Sequence, residues 1–126
     1  MKITSTKKHF IALLILVVLT LGIITTASAA LISSLTFSNM TTSSGKTSGG
    51  FTKGKSVSIH TKATDMAGNT GTTYFVKFDG RASGNLQANG VTRSWSTSCT
   101  KTSNTFYAQL THPNNSRISG NMNCYQ

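Results

Sequence analysis

Glutamate is absent from this chain, and only two aspartates, Asp65 and Asp79, carry negative side-chain charge. That absence excludes a great deal. General acid–base pairs and glycosidase mechanisms need two well-placed carboxylates, and here only these two acids are available. A hard-cation site built from several carboxylates is ruled out on the same count. Helices favour Glu in their first turns and opposite Lys at i,i+4, so the chain also lacks a main helix stabiliser. Proline occurs once, at Pro113, tryptophan once, at Trp95, and cysteine twice, at Cys99 and Cys124. Two cysteines at that spacing match no zinc pattern, so no metal is expected, and no cofactor motif is present. Gly45-Lys46-Thr47 suggests a phosphate loop, but Met40 stands where the full pattern requires a glycine.

Apolar runs are also scarce, with one exception. Lys2, Lys7 and Lys8 precede an uncharged run from Phe10 to Ile24, and Ala27-Ser28-Ala29 follows. A basic segment, an apolar segment and a small-x-small site form a secretory signal peptide. Residues 1–29 are therefore expected to be removed, leaving residues 30–126 as one secreted domain. The alternative is an uncleaved anchor. The 15 residues from Phe10 to Ile24 fall short of the roughly 20 that a spanning helix needs. No cysteine near the cleavage site supports a lipid anchor.

Cations are plentiful. Twelve Lys and Arg stand against the two Asp. Three of the twelve lie in the leader, so residues 30–126 hold nine and carry a net charge of +7. A small domain so charged is drawn to anionic surfaces. Export, and the spread of the nine cations along the chain, argue against a dedicated nucleic-acid groove.

Ser, Thr, Asn and Gly make up about half of residues 30–126. This composition disfavours helix and favours strands joined by tight turns. Period-two alternation is clear in Ser56–Thr64, where Val57, Ile59, Thr61 and Ala63 alternate with Ser58, His60 and Lys62. Similar patterns mark 30–38, 72–78, 91–98, 104–111 and 117–125. Turns are expected at 65–71, at Asp79-Gly80 and at 112–115, and the polar run 40–54 reads as a flexible connection. The expected fold is an all-β, small antiparallel β-sandwich of about six strands, present as a monomer. Its expected core is Leu35, Phe37, Val57, Ile59, Val76, Phe78, Val91, Trp95, Phe106, Leu110, Ile118 and Met122.

In an oxidising compartment Cys99 and Cys124 are expected to form one disulfide. Such a bridge requires either that the last strand sit on the sheet opposite its predecessor, the favoured arrangement, or that Cys99 lie in a loop folded over the edge, and it would contribute about 3.5 kcal/mol in the chain-entropy model.

Candidate binding residues follow from charge and aromaticity. Arg93 and Trp95 share a strand face, as a snorkelling Arg on the Trp ring or as an exposed recognition pair. Lys53, Lys55, His60 and Lys62 form a candidate basic patch, to which Trp95, Tyr107 and Tyr125 could add short-range affinity. His112 has no evident partner. No nucleophile–base constellation carries a flanking motif, so no catalytic residue and no enzyme is expected. Hydroxyl-bearing strand faces suit ice or sugar binding, but no regular Thr-x-Thr repeat is present and this reading is not favoured. Isopeptide chemistry is disfavoured because Asp65 and Asp79 both read as turn residues.

With its leader, its alternating Ser/Thr/Asn-rich strands and its turn-rich close, the chain resembles small exported β-proteins of Gram-positive bacteria, some of them bacteriocin-like. The resemblance is one of layout and carries over no functional residue. The functional expectation is a secreted cationic binding protein at an anionic envelope surface, an antibacterial or envelope-associated factor whose partners are envelope polymers or lipid headgroups. The alternative is a protein-binding module, such as an inhibitor of a secreted hydrolase, using the Cys99–Asn104 loop.

Overall fold

A computed structural model describes residues 28–112 and 115–126. All of the expected leader but Ser28 and Ala29, and Pro113-Asn114 of the last turn, lie outside the described residues. Nine strands follow in order: β1 (Leu31–Met40), β2 (Lys46–Ser48), β3 (Ser56–Asp65), β4 (Thr73–Phe78), β5 (Arg81–Ala82), β6 (Leu86–Gln87), β7 (Arg93–Ser98), β8 (Asn104–Leu110) and β9 (Ile118–Tyr125). The six longer ones coincide with the six alternating segments to within two or three residues. The three short ones carry too few residues to show a period.

The strands form two antiparallel sheets. One runs β1-β9-β3-β7; the other runs β2-β8-β4-β5, with β6 also on β4. Almost every neighbour is distant in sequence. The exception is β4–β5, closed by Asp79-Gly80 with φ of 48° and 78°. Positive φ at both central positions is the turn whose twist matches paired strands, and Asp-Gly tolerates it.

The core lies between the sheets. Val57, Ile59 and Ala63 of β3, Tyr74, Val76 and Phe78 of β4, Phe106 and Leu110 of β8, and Ile118 and Met122 of β9 are all buried. Each such large apolar side chain contributes about 1.5–3 kcal/mol relative to leaving it in water. Leu35 and Trp95 are only half-buried against this core, and Val91, expected inside, is 49% exposed. Val91 precedes β7 and follows the turn at Gly90, so the alternation that would point it inward has not begun there.

The polar run 40–54, read from sequence as a flexible connection, is fastened at several points. It contains β2, which pairs with β8, and it delivers Phe51 to the core, edge-on to Phe78 at 5.2 Å. Ser43 replaces a missing strand partner: its N–H donates to the Ala108 carbonyl and its Oγ accepts the Ala108 N–H, both at 2.8 Å.

The expected disulfide is not formed. Cys99 and Cys124 are both free and both buried. Cys99 exchanges backbone hydrogen bonds with Lys55 and Gly54, whereas Cys124 is in register with Ile59. The two therefore flank the β3 run on opposite sides and four residues apart along it, roughly 16 Å from one another by strand geometry. A bridge spans Cα atoms only about 4.4–6.8 Å apart. β8 and β9 do lie in different sheets, but hydrogen bonding of β9 between β1 and β3 puts them there, not a bridge.

Candidate functional site

The two acids are both engaged by the fold. Asp65 ends β3 and is 4% exposed. Its carboxylate accepts the Ala67 N–H at 2.7 Å, the Thr72 hydroxyl and the Asn69 amide at 3.4 Å, and Asn69 also donates to Ser116 Oγ at 3.1 Å. Led by the Thr72 hydroxyl, these donors hold the carboxyl below its ordinary value in spite of burial. A cavity of about 370 Å³ opens beside it, lined by Thr64, Gly68, Asn69, Thr70, Ala88 and Asn89. Asp79 turns from β4 to β5 and holds the β7–β8 loop, taking Lys101 Nζ and Thr100 Oγ1, each at 3.2 Å.

Lys101–Asp79 is the only ion pair among the described residues. The other eight cations of 30–126 have no carboxylate within ion-pair reach there. Some stitch the two open sides of the sandwich: Lys46 Nζ donates to the Ser34 carbonyl at 2.6 Å, and Arg81 donates to the Ser98 carbonyl at 2.9 Å. Lys53 and Lys55 are exposed in the connection before β3.

The sequence-based candidates are dispersed. Arg93 and Trp95 occupy the inward side of the edge strand β7, half-buried, with Trp95 opposite Ile59 and packed against the core. Arg93 lies near the Tyr74 phenol, where its charge partly opposes the rise that burial imposes on that hydroxyl. His60 and Lys62 project outward from β3. The His60 ring packs on the Tyr125 ring, centroids 4.8 Å apart and planes tilted by 45°. Tyr107 projects from the opposite sheet, where Lys77 Nζ sits 5.9 Å from its centroid.

Lys53, Lys55, His60 and Lys62 therefore do not join Tyr107 or Trp95 in one patch. Two outward faces emerge instead. On the face of β8 and β4, Phe75 lies opposite Gln109 and diagonal to Tyr107, half-buried and pointing away from the core. Sequence reasoning missed Phe75 and Lys77, although Tyr74, Val76 and Phe78 on the inner side require them to face outward. On the face of β1, β9, β3 and β7, the residues are nearly all short and polar.

The cysteines contribute no reactive centre. Burial pushes the Cys124 thiol up to about 12, against a smaller opposing pull from Lys46. The Cys99 thiol donates to the Lys101 carbonyl at 2.9 Å. Among the described residues no three His, Cys, Asp or Glu side chains gather as metal ligands, and neither acid lies within ion-pair reach of His60. No protein-family model matches the chain, and no curated protein matches it.

Proposed function

We propose that this is an exported cationic binding domain that acts at an anionic cell-envelope surface, without catalysing a reaction. One observation carries the reading: of nine cations in residues 30–126, eight have no carboxylate partner among the described residues. Asp65 is buried and Asp79 is already paired with Lys101. Apart from Arg93, half-buried on the inward side of β7, the cations therefore present most of the net charge of +7 without compensation, and such a surface attracts polyanions over a Debye length. The absence of catalysis rests on the same two acids, one fully hydrogen-bonded and the other in a turn, neither beside a histidine.

A second reading has its own support. The Cys99–Asn104 loop is braced without a disulfide, because Asn104 Nδ2 donates to the Lys101 carbonyl at 2.9 Å and Asp79 grips Thr100 and Lys101. A rigid loop of this kind suits an inhibitor-like protein contact.

The two readings separate on salt. Washed cell walls and culture-supernatant proteins are each offered to the protein at low salt and near 0.5 M NaCl. Envelope adsorption is expected to collapse at high salt, where the Debye length is a few ångströms. Salt-resistant capture of one stoichiometric protein, without wall binding, would establish the inhibitor-like reading in its place. Hydrolytic activity lost on Asp65→Ala or His60→Ala would overturn the non-catalytic part.

A further inference from the structure

The outer face of the sheet β1-β9-β3-β7 has a composition that solubility alone does not require. Long charged side chains commonly guard the edges of a sheet against other chains, whereas the charge on this face, Lys62, stands on the central strand β3. Here β1 offers Ser34 and Thr36, β9 offers Asn121, Asn123 and Tyr125, β3 offers Ser58, His60 and Lys62, and β7 offers Ser94 and Ser96. The register aligns them in rows across the strands. Ser34, Asn123, His60 and Ser94 form one row, and Thr36, Asn121 and Lys62 form the next. Rows of this kind repeat about 6.8 Å apart along the strands and about 4.8 Å across them. Short side chains keep the surface flat and lose little rotamer freedom when covered.

Two further features point to a ligand. The first is the ring pair. His60 and Tyr125 stand on the two central strands in contact with each other, on the outside of the sheet, where their faces shield no core. The second is unused hydrogen-bonding capacity. The Nδ2 groups of Asn69, Asn89 and Asn104 all donate within the fold. Those of Asn121 and Asn123, the Lys62 ammonium and the Ser58 and Ser94 hydroxyls make no hydrogen bond among the described residues. The face holds no acid, since Asp65 points inward and Asp79 lies on the other sheet.

We infer that this face binds an acidic glycan chain. This rests on the envelope-binding reading and names the partner within it: a sugar polymer, not a lipid headgroup. A pyranose has one apolar C–H face and a rim of hydroxyls. The apolar face stacks on the Tyr125 ring beside His60, the rim hydroxyls meet Asn123, Asn121 and Ser58 as donors and acceptors, and Lys62 receives the carboxylate or phosphate of the adjoining unit. Flatness suits an extended polymer better than a compact ligand, which needs a concave site.

The test measures binding of the full exported protein to three probes at one moderate salt concentration: alginate oligomers, inorganic polyphosphate of matched charge, and vesicles rich in an anionic phospholipid. Tyr125→Ala is expected to weaken alginate binding about five-fold, as loss of one stacking contact should. Tyr125→Phe should retain it, and polyphosphate and vesicle binding should not change with either substitution. Asn123→Ala provides a second variant, whose side chain faces outward and makes no hydrogen bond among the described residues. Equal loss on all three probes would overturn the assignment, as would alginate binding unchanged in both Tyr125→Ala and Asn123→Ala. In the latter case salt-sensitive wall binding by the wild-type protein would still leave the envelope reading standing. Failure of the wild-type protein to bind any anionic probe would bring down the envelope reading itself.

Discussion

Asp65 shows how much one residue can hold in a chain so poor in acids. It closes β3, collects donors from Ala67, Asn69 and Thr72, and is held by them below its ordinary value of 3.8. A carboxyl lowered in the folded state stabilises the fold above its unfolded value, and that contribution is lost as pH falls through the folded value. Thermal melts of the wild-type protein should therefore show falling stability below about pH 4. Asp65→Asn should melt lower at pH 7 and show a weaker acid dependence; a variant as stable as the wild type would deny the node its role. Sequence reading recognised Asp65 as a turn residue but not as a buried acid. The donors that make burial tolerable come from 67 to 72 and from the neighbourhood of Ser116, and only the fold gathers them. The cysteines misled for a related reason. Compartment logic favoured a bridge, but strand register separates the thiols. Iodoacetamide should leave both cysteines of the native protein unmodified and label both once the chain is denatured without reductant. A native mass lower by two hydrogens, with no labelling in denaturant, would restore the disulfide.

At the scale of elements, β9 is the strand on which the sheet depends. It lies between β1 and β3, pairing with both, although it is last in sequence. Gly120 permits this closeness. A Cβ there would fall 1.9 Å from the Lys62 carbonyl oxygen and 2.9 Å from the Ala63 Cα, both backbone atoms that do not yield. Gly120→Ala should therefore cost more than about 3 kcal/mol, by forcing β3 and β9 apart. In a domain this small the melting temperature should drop by more than about 12 °C. A drop of only a degree or two in a thermal melt would show that the strands are not held as closely as described. Period-two alternation made the six long strands legible, and Asp79-Gly80 made one hairpin legible. Pairing order was not legible, because β9 finds β1 and β3 through long-range hydrogen bonds that leave no local pattern. Phe51 escaped for the same reason. Its neighbours Gly49, Gly50, Thr52 and Lys53 look like linker, and only its position over Phe78 makes it core.

Considered whole, the molecule is a small sandwich whose core carries its stability without a covalent brace, and whose surface charge is mostly of one sign, Asp79 being paired with Lys101. Composition alone disclosed the charge. It did not disclose that one acid is buried and the other paired, and this determines how much of the +7 reaches solvent. Nor did it disclose the face bearing the Tyr125–His60 ring pair, because His60 and Tyr125 are distant in sequence and meet only through the β3–β9 register. Chain order joined His60 and Lys62 to Lys53 and Lys55, whereas the sheet joins them to Asn121 and Asn123. The measurement that bears most directly on the central claim is the affinity of residues 30–126 for washed anionic cell walls as NaCl rises from about 0.05 to 0.5 M, through which the Debye length shrinks several-fold. The uncompensated cationic surface predicts a steep, continuous fall of affinity by at least about ten-fold, as multivalent phosphate contacts show. Affinity that stays level across that range would contradict it.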